Sequence, residues 1–410
     1  MQRKVRNVAL VFMAATGVFL LLFAQWWTDA QTLGPGGSED LTKPLNGLTG
    51  KPLTDFNDGL AEFKDEETIA DGLGPVFNGK SCAECHAVPS VGGSEPNLGV
   101  ARETRIGGPN GDPLVNLGGP LLQQRAISLP GCNNLAGEVV PQEATFVSLR
   151  LSTPLFGAGL MEAIPDTTIL QNADPGDGIS GRPNFVFNPD TRKTELGRFG
   201  WKAQVATLHQ FAGDAYLNEM GITNPSFPNE NRPQGQPIPP GCDTVTDPED
   251  NGSGVKAFEN FMKFLAPAPR RTITDQVLRD QVLKGEIVFR SKISGGIGCA
   301  SCHVPMMMTG NNSVKALSQQ QVNLFSDLLL HDMGPGLADG IVQGMAQENE
   351  FRTAPLWGLS RRNRFMHDGG SNTIEGAILR HDGEAKTARD RFERLSPSER
   401  DALLAFLGSL

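Results

Sequence analysis

Apolar positions along this chain fall into a few helix-spaced runs, separated by long stretches with no periodicity at all. Residues 58–77 alternate charged and apolar groups with helical spacing through Leu60, Phe63 and Ile69. From residue 254, Val255, Phe258, Phe261, Met262 and Leu265 share one helical face until Pro267 and Pro269 break it. A second helix is predicted over about 275–289, carrying Val277, Leu278, Val282, Ile287 and Val288. A short one follows Asn372, its cap, with Glu375 three residues on and Ile374, Ala377, Ile378 and His381 on one face. The last has Ser396 as N-cap, Pro397 at the first helical position, Glu399 closing a capping box, and Leu403, Leu404, Phe406 and Leu407 as its apolar side. Elsewhere the pattern predicts loops: a Gly/Pro/Thr-rich tether over 31–55, Gly-Gly and Gly-Pro breakers between about 87 and 140, and a proline-rich surface excursion over 221–254. Residues 184–199 read as a small hairpin around Asn188-Pro189-Asp190.

The first 30 residues follow another pattern. Arg3, Lys4 and Arg6 precede an apolar run from Val8 to Ala24, and Trp26 and Trp27 follow it. This is the layout of a secretion signal or an uncleaved anchor through residues 8–27, the anchor being slightly favoured because Thr28-Asp29-Ala30 is a poor cleavage site. A buried core helix is the plain alternative. Either functional reading places the body in the periplasm. The net charge is −10, and with +2 in the first 30 residues the remainder carries about −12. Such an acidic body argues against nucleic acid and suits docking of a basic electron carrier. A length of 410 residues suggests two domains, and 48 Gly with 29 Pro imply much irregular chain.

Four of the six cysteines lie in two Cys-x-x-Cys-His units, Cys82-Ala83-Glu84-Cys85-His86 and Cys299-Ala300-Ser301-Cys302-His303. Two thiols three residues apart reach both vinyl groups of one haem, and the following imidazole can reach its iron. Zinc ligation and a thioredoxin-like dithiol are the rivals, but no further Cys pair completes a zinc site. The motifs therefore predict two covalently bound haem c groups, with His86 and His303 as proximal iron ligands. Val76-Phe77 precedes the first motif and Val288-Phe289 the second, an internal echo. The expected fold is mainly α: two cytochrome-c-like haem domains with long irregular loops and a small β-hairpin insertion. The boundaries read as 1–30 signal or anchor, 31–55 tether, 56–268 first haem domain and 269–410 second. Cys132 and Cys242 remain, and in an oxidising compartment a disulfide is the simple assignment, with two free thiols as the alternative. Of the other histidines, His209, His331, His367 and His381, the last is best placed as a distal ligand, a plain core histidine being the alternative.

Several stretches carry a resemblance. Phe351 to Leu356 followed by Phe365-Met366-His367-Asp368-Gly369 resembles the C-terminal haem domain of bacterial di-haem cytochrome c peroxidases and MauG-like proteins. Leu149 to Pro165, Gly197 to Ala203, Glu219 to Thr223, Leu328 to Asp339 and His381 to Ala385 are similar to the di-haem oxidoreductase branch often labelled thiol oxidoreductase-like. In the peroxidases a Met fourteen residues beyond the His of the His-x-Gly turn binds the C-terminal haem, and MauG relatives have Tyr there. Here the position is His381, so the resemblance implies bis-histidine ligation by His303 and His381. It further implies an open N-terminal haem where peroxide binds, with Arg102 where some peroxidases carry a distal His, and His209, His331, Met161 and Met220 as free candidates.

Glu162 is the candidate acid/base, a solvated helix-start glutamate being the alternative; His209 and Gln210 are weaker ones. Trp201 could match the tryptophan that relays electrons between haems, or be a core residue. Arg352 would pair with a propionate or form a surface salt bridge, and His367 would sit beside a propionate or hold a turn. Arg362 and Arg364 stand where the peroxidases use Thr-x-Pro near calcium, which argues against calcium there. Met306-Met307-Met308 reads as packing against a porphyrin edge. The function expected is a peroxidase-like di-haem oxidoreductase (EC 1.11.1.-), taking electrons from a small redox protein or a quinol-linked donor and using hydrogen peroxide or another small oxidant. The alternatives are an oxidase of thiols or of a protein side chain, and an electron-transfer cytochrome without turnover.

Overall fold

The computed structural model describes residues 39–94, 103–173, 179–291 and 297–410. The signal or anchor segment 1–30 and Arg102 lie outside the described residues. Among the described residues, no helix is long and apolar enough to cross a membrane. The fold is mainly helical with small strand pairs. The helices of six or more residues are α1 (Lys51–Lys64), α2 (Leu208–Met220), α3 (Ser253–Phe264), α4 (Gln276–Arg290), α5 (Ile374–Leu379), α6 (Lys386–Glu393) and α7 (Pro397–Leu407).

Two crossed helix pairs organise the chain. In α1, Phe56, Gly59 and Phe63 are buried one turn apart and face α3, whose Val255, Phe258, Phe261 and Met262 are buried in return. A Cβ on Gly59 would lie 2.3 Å from the Ala257 carbonyl oxygen, so the two backbones touch only because glycine stands there. The second pair repeats this device. α4 crosses α7 at Gly285, where a Cβ would lie 1.9 Å from the Ala402 carbonyl oxygen. α4 buries Val282, Gly285, Val288 and Phe289, and this face leaves Val277 and Ile287 exposed. The capping box of α7 forms as expected, with Ser396 Oγ and Glu399 satisfying each other's backbone N–H groups. α5 begins one residue later than the pattern suggested: Thr373, not Asn372, caps it by accepting from Gly376 N at 2.9 Å.

The expected hairpin at 184–199 is present as β1 (Phe185–Asn188) paired antiparallel with β2 (Lys193–Leu196). It is one of five two-stranded ladders among the described residues, which also pair Glu103–Gly107 with Phe146–Arg150 and Leu330–Asp332 with Glu350–Arg352. The tether reading does not hold for 41–55. Leu41, Leu45 and Leu48 are buried in the core, Leu45 N donates to the Phe264 carbonyl, and α1 has begun by Lys51. Gly and Pro in that stretch shape a packed entry to the helix instead of a free linker. Apolar burial divides into two large clusters. One spans 41–268 and also takes in Met307, Leu317, Val322, Leu324, Leu328 and Leu329; the other gathers Val282 to Leu410. Apolar side chains of 307–329 other than Phe325 thus pack across the sequence boundary drawn at 268, having no long helix of their own to pack on.

Cys132 and Cys242 form a disulfide across 110 residues of sequence. It joins two loops with little core of their own. Closing so long a loop restricts the unfolded chain, by about 4–5 kcal/mol in the chain-entropy description. The double Cys132→Ser, Cys242→Ser variant is expected to lose about 2–5 kcal/mol of stability, read as a lower midpoint in denaturant-induced unfolding.

Candidate functional site

The two Cys-x-x-Cys-His motifs each line a separate cavity, and each follows the first helix of its crossed pair. Cys299–Ser301 is a single tight turn started by Gly298 at φ +86°, and His303 N closes it onto the Cys299 carbonyl at 2.9 Å. Nδ1 of His303 lies 2.9 Å from the Phe325 carbonyl oxygen. A carbonyl can only accept, so Nδ1 carries the proton and Nε2 presents its lone pair to the cavity. His381, just past the end of α5, is held the same way, with Nδ1 2.8 Å from the Ala377 carbonyl. The two imidazoles face each other with centroids 6.5 Å apart across a cavity of about 210 Å³ that Cys299 and Cys302 also line. Two metal–nitrogen bonds of ~2 Å plus half of each ring account for that span. Burial, and for His303 the neighbouring His381, push both pKa values down, His303 to about 4, which favours the neutral rings that metal ligation would require.

The first cavity is larger, about 350 Å³. Cys82–Cys85 forms one helical turn, and His86 Nδ1 donates to the Gly93 carbonyl at 2.9 Å, again leaving Nε2 free. His86 is the only imidazole among the described residues lining it. Instead the lining carries three carboxylates, Glu84, Glu103 and Glu219, of which Glu84 pairs with Arg125 at 2.9 Å. Burial would raise Glu103, but the Arg105 guanidinium 2.7 Å away holds it below the usual carboxylate range. Glu219 goes the other way. Burial and the Glu103 charge push it up to about 8, although Asn78 Nδ2 donates to its Oε2 at 2.9 Å. Burial also pushes up the thiols of Cys82 and Cys299, the latter to about 12, whereas a dithiol redox motif needs a lowered value.

One side chain lines both cavities. Trp201 sits between them, its Nε1 donating to the Leu151 carbonyl at 2.7 Å and its ring edge-on to His367 at 6.5 Å. His367 is buried in the second lining and stacks on Phe351 at 4.1 Å.

A family described as "Di-haem oxidoreductase, putative peroxidase" matches residues 131–410. The chain belongs to the di-haem oxidoreductase family. No curated protein sequence matches it. Solved structures with a similar course include hydrazine synthase of Kuenenia stuttgartiensis, at 15% identity over 92% of this chain and 96% of that one, TM-score 0.43. A variant of the diheme peroxidase BthA from Burkholderia thailandensis gives 16% over 90% and 88%, TM-score 0.44. A MauG-like protein associated with microbial copper homeostasis gives 14% over 90% and 91%, TM-score 0.38. Membership in the family implies an oxidoreductase with two haem irons.

In this di-haem oxidoreductase the structure brings together most residues singled out by the sequence. Cys82, Cys85 and His86 share one cavity; Cys299, Cys302, His303, His381, His367 and Arg352 share the other. Arg352 is largely committed, its Nε donating to the Gly200 carbonyl and Nη1 to the Thr353 carbonyl. Arg362, which forms no salt bridge among the described residues, lines the same cavity, and burial lowers it to about 10. Glu162 lies apart from both linings: its Oε1 accepts from Leu208 N at 2.8 Å and so caps the start of α2. His209 pairs with Glu259 at 2.9 Å, outside both cavities. Met161 is core, while Met220 does line the first cavity. His331 belongs to the second cavity, clamped between Asp327 at 2.8 Å and Glu384 at 2.9 Å. Burial opposes its charge, but those carboxylates outweigh it and raise its pKa to about 12. Met306, Met307 and Met308 touch neither lining; Met307 pairs with Val322 in a strand ladder instead.

Sequence reasoning missed Glu103, Glu219 and Asn78. It also paired the wrong aromatics. Val76-Phe77 is a strand, whereas Phe289 is on α4, and the spatial counterpart of Phe289 is Phe63 on α1. Phe63 stands 6.0 Å from His86 and Phe289 6.4 Å from His303. The signal for Glu219 was available, since Glu219 to Thr223 is one of the family-like stretches.

Proposed function

We propose that this chain is an exported di-haem c-type peroxidase that reduces peroxide at the first cavity and relays electrons through the second. The observation that carries this reading is the asymmetry of the cavities: two imidazoles close the second, and only one lines the first. In this reading Cys82 and Cys85 bind one haem covalently and Cys299 and Cys302 the other. His86 would hold the first iron, and His303 and His381 the second. Arg352 and Arg362 would neutralise its propionates. The Cys132–Cys242 disulfide supports a location outside the cytoplasm, the periplasm with the 1–30 segment as signal or anchor. Arg362 and Arg364, standing where the related peroxidases use Thr-x-Pro near calcium, argue against calcium at that place.

Haem iron supplies the electrons for converting hydrogen peroxide and two protons to two waters. The protein handles the protons. Two carboxylates with pKa values pushed apart divide acid and base work between them. Glu103, ionised beside Arg105, favours taking the proton from bound peroxide. Glu219, protonated at neutral pH, favours giving one to the departing oxygen; Asn78 occupies Oε2 as a donor, so the proton resides on Oε1. Trp201 supplies the contact between the cavities, and a small redox protein or quinol-linked donor feeds the second.

Electron paramagnetic resonance of the haem-loaded protein tests this. One high-spin signal that changes on adding peroxide, beside one low-spin bis-imidazole signal, is expected. Two low-spin signals inert to peroxide after reduction would refute it. Trp201→Phe should keep both haems and the peroxide reaction of the first, yet slow electron transfer between them by at least tenfold, followed by stopped-flow absorbance. An unchanged rate would remove Trp201 from the path.

A further inference from the structure

The 221–254 excursion contains a cluster that haem chemistry does not use. Carboxylate oxygens of Glu230, Asp243, Asp247 and Glu249 lie within 4.8 Å of one another. Acidic residues often gather on surfaces without consequence, but two further observations distinguish this group. Both oxygens of the Glu230 carboxylate are shut off from solvent, each exposing less than 1 Å², and neither accepts a hydrogen bond. No Lys or Arg forms a described salt bridge with any of the four. A buried, unpartnered carboxylate facing three others is among the costliest arrangements a fold can hold.

We propose that Glu230, Asp243, Asp247 and Glu249 form a calcium site that clamps the two arms of this loop together. All donors are hard carboxylate oxygens, as calcium prefers. The number of carboxylates discriminates further: calcium takes six to eight oxygens in flexible geometry, whereas magnesium demands a near-ideal octahedron and is usually held by one or two carboxylates with several waters. Water completes the coordination. The site has a firm base. Fully buried Thr223 donates its N–H to Glu249 Oε2 at 2.7 Å and its hydroxyl reaches Asp247 Oδ1 at 3.3 Å. Cys242, next to Asp243, is anchored by the disulfide. Calcium would therefore fix the chain just beyond Glu219, which ends α2 in the first cavity.

The test uses the full haem-loaded chain, stripped with EDTA, with haem content measured separately. Calcium chloride should bind by calorimetry and raise Tm by about 4 °C at saturation. Magnesium chloride at the same concentration should give less than half that shift. Glu230→Gln should match or exceed the wild-type Tm in EDTA, because it removes a buried acid, and lose the response to calcium. Asp243→Asn, an exposed change that leaves folding alone, should weaken calcium binding at least tenfold. The proposal is overturned if calcium gives no shift, or if both variants respond like the wild type, which would place calcium elsewhere. An equal response to magnesium would overturn the assignment to calcium.

Discussion

Glu219→Gln is expected to lower peroxide turnover by about 10²–10⁴-fold, the usual cost of removing a placed proton donor. The change is nearly isosteric, and the amide can still accept from Asn78 Nδ2, so both haems should stay bound and the spin states should persist. The pH profile carries the more specific signature. Burial and Glu103 raise Glu219 to about 8, so the wild-type rate should fall as pH rises through that value and the acid loses its proton. The same shift affects stability. A carboxyl whose folded pKa exceeds its unfolded value of 4.5 binds more protons when folded, so its ionisation lowers stability as pH climbs from about 4.5 to about 8. Glu219→Gln should abolish both dependences. If the variant keeps the wild-type rate and the alkaline limb, the proton is delivered by another group.

His381→Met should leave the second haem bound while raising its reduction potential on the order of 10² mV, within the ~0.8 V that axial ligands command. Thioether donates less to ferric iron than imidazole does, so the reduced state gains. The low-spin bis-imidazole signal should be replaced by a His/Met one, and electron delivery to the first cavity should slow as the second haem becomes a poorer reductant. The local frame favours this substitution over others. His381 lies just beyond α5, anchored to Ala377, and faces His303 at 6.5 Å. A spectrum and potential identical to wild type would show that His381 does not reach the iron.

Local features of the chain proved readable because local rules govern them. The capping box at Ser396–Glu399, the buried face of α3 and the hairpin at Asn188-Pro189-Asp190 depend on residues a few positions apart. Where distant segments compete, the reading went astray. Leu41, Leu45 and Leu48 look like linker residues until α3 offers them a surface. Glu162 has the chemistry of an acid, yet the orphan N–H of Leu208 claims its carboxylate.

The sequence by itself determined the two Cys-x-x-Cys-His motifs, with His86 and His303 as candidate ligands, and the candidate His381, since thiol spacing and helical periodicity are properties of short segments. Only the tertiary structure decided how open each cavity is, which carboxylates line the first, and that Trp201 borders both. Those facts depend on contacts between residues more than a hundred positions apart, such as Asn78 with Glu219 and Gly200 with Arg352. Burial and neighbouring charge, which set the protonation of Glu103 and Glu219, exist only once those contacts have formed.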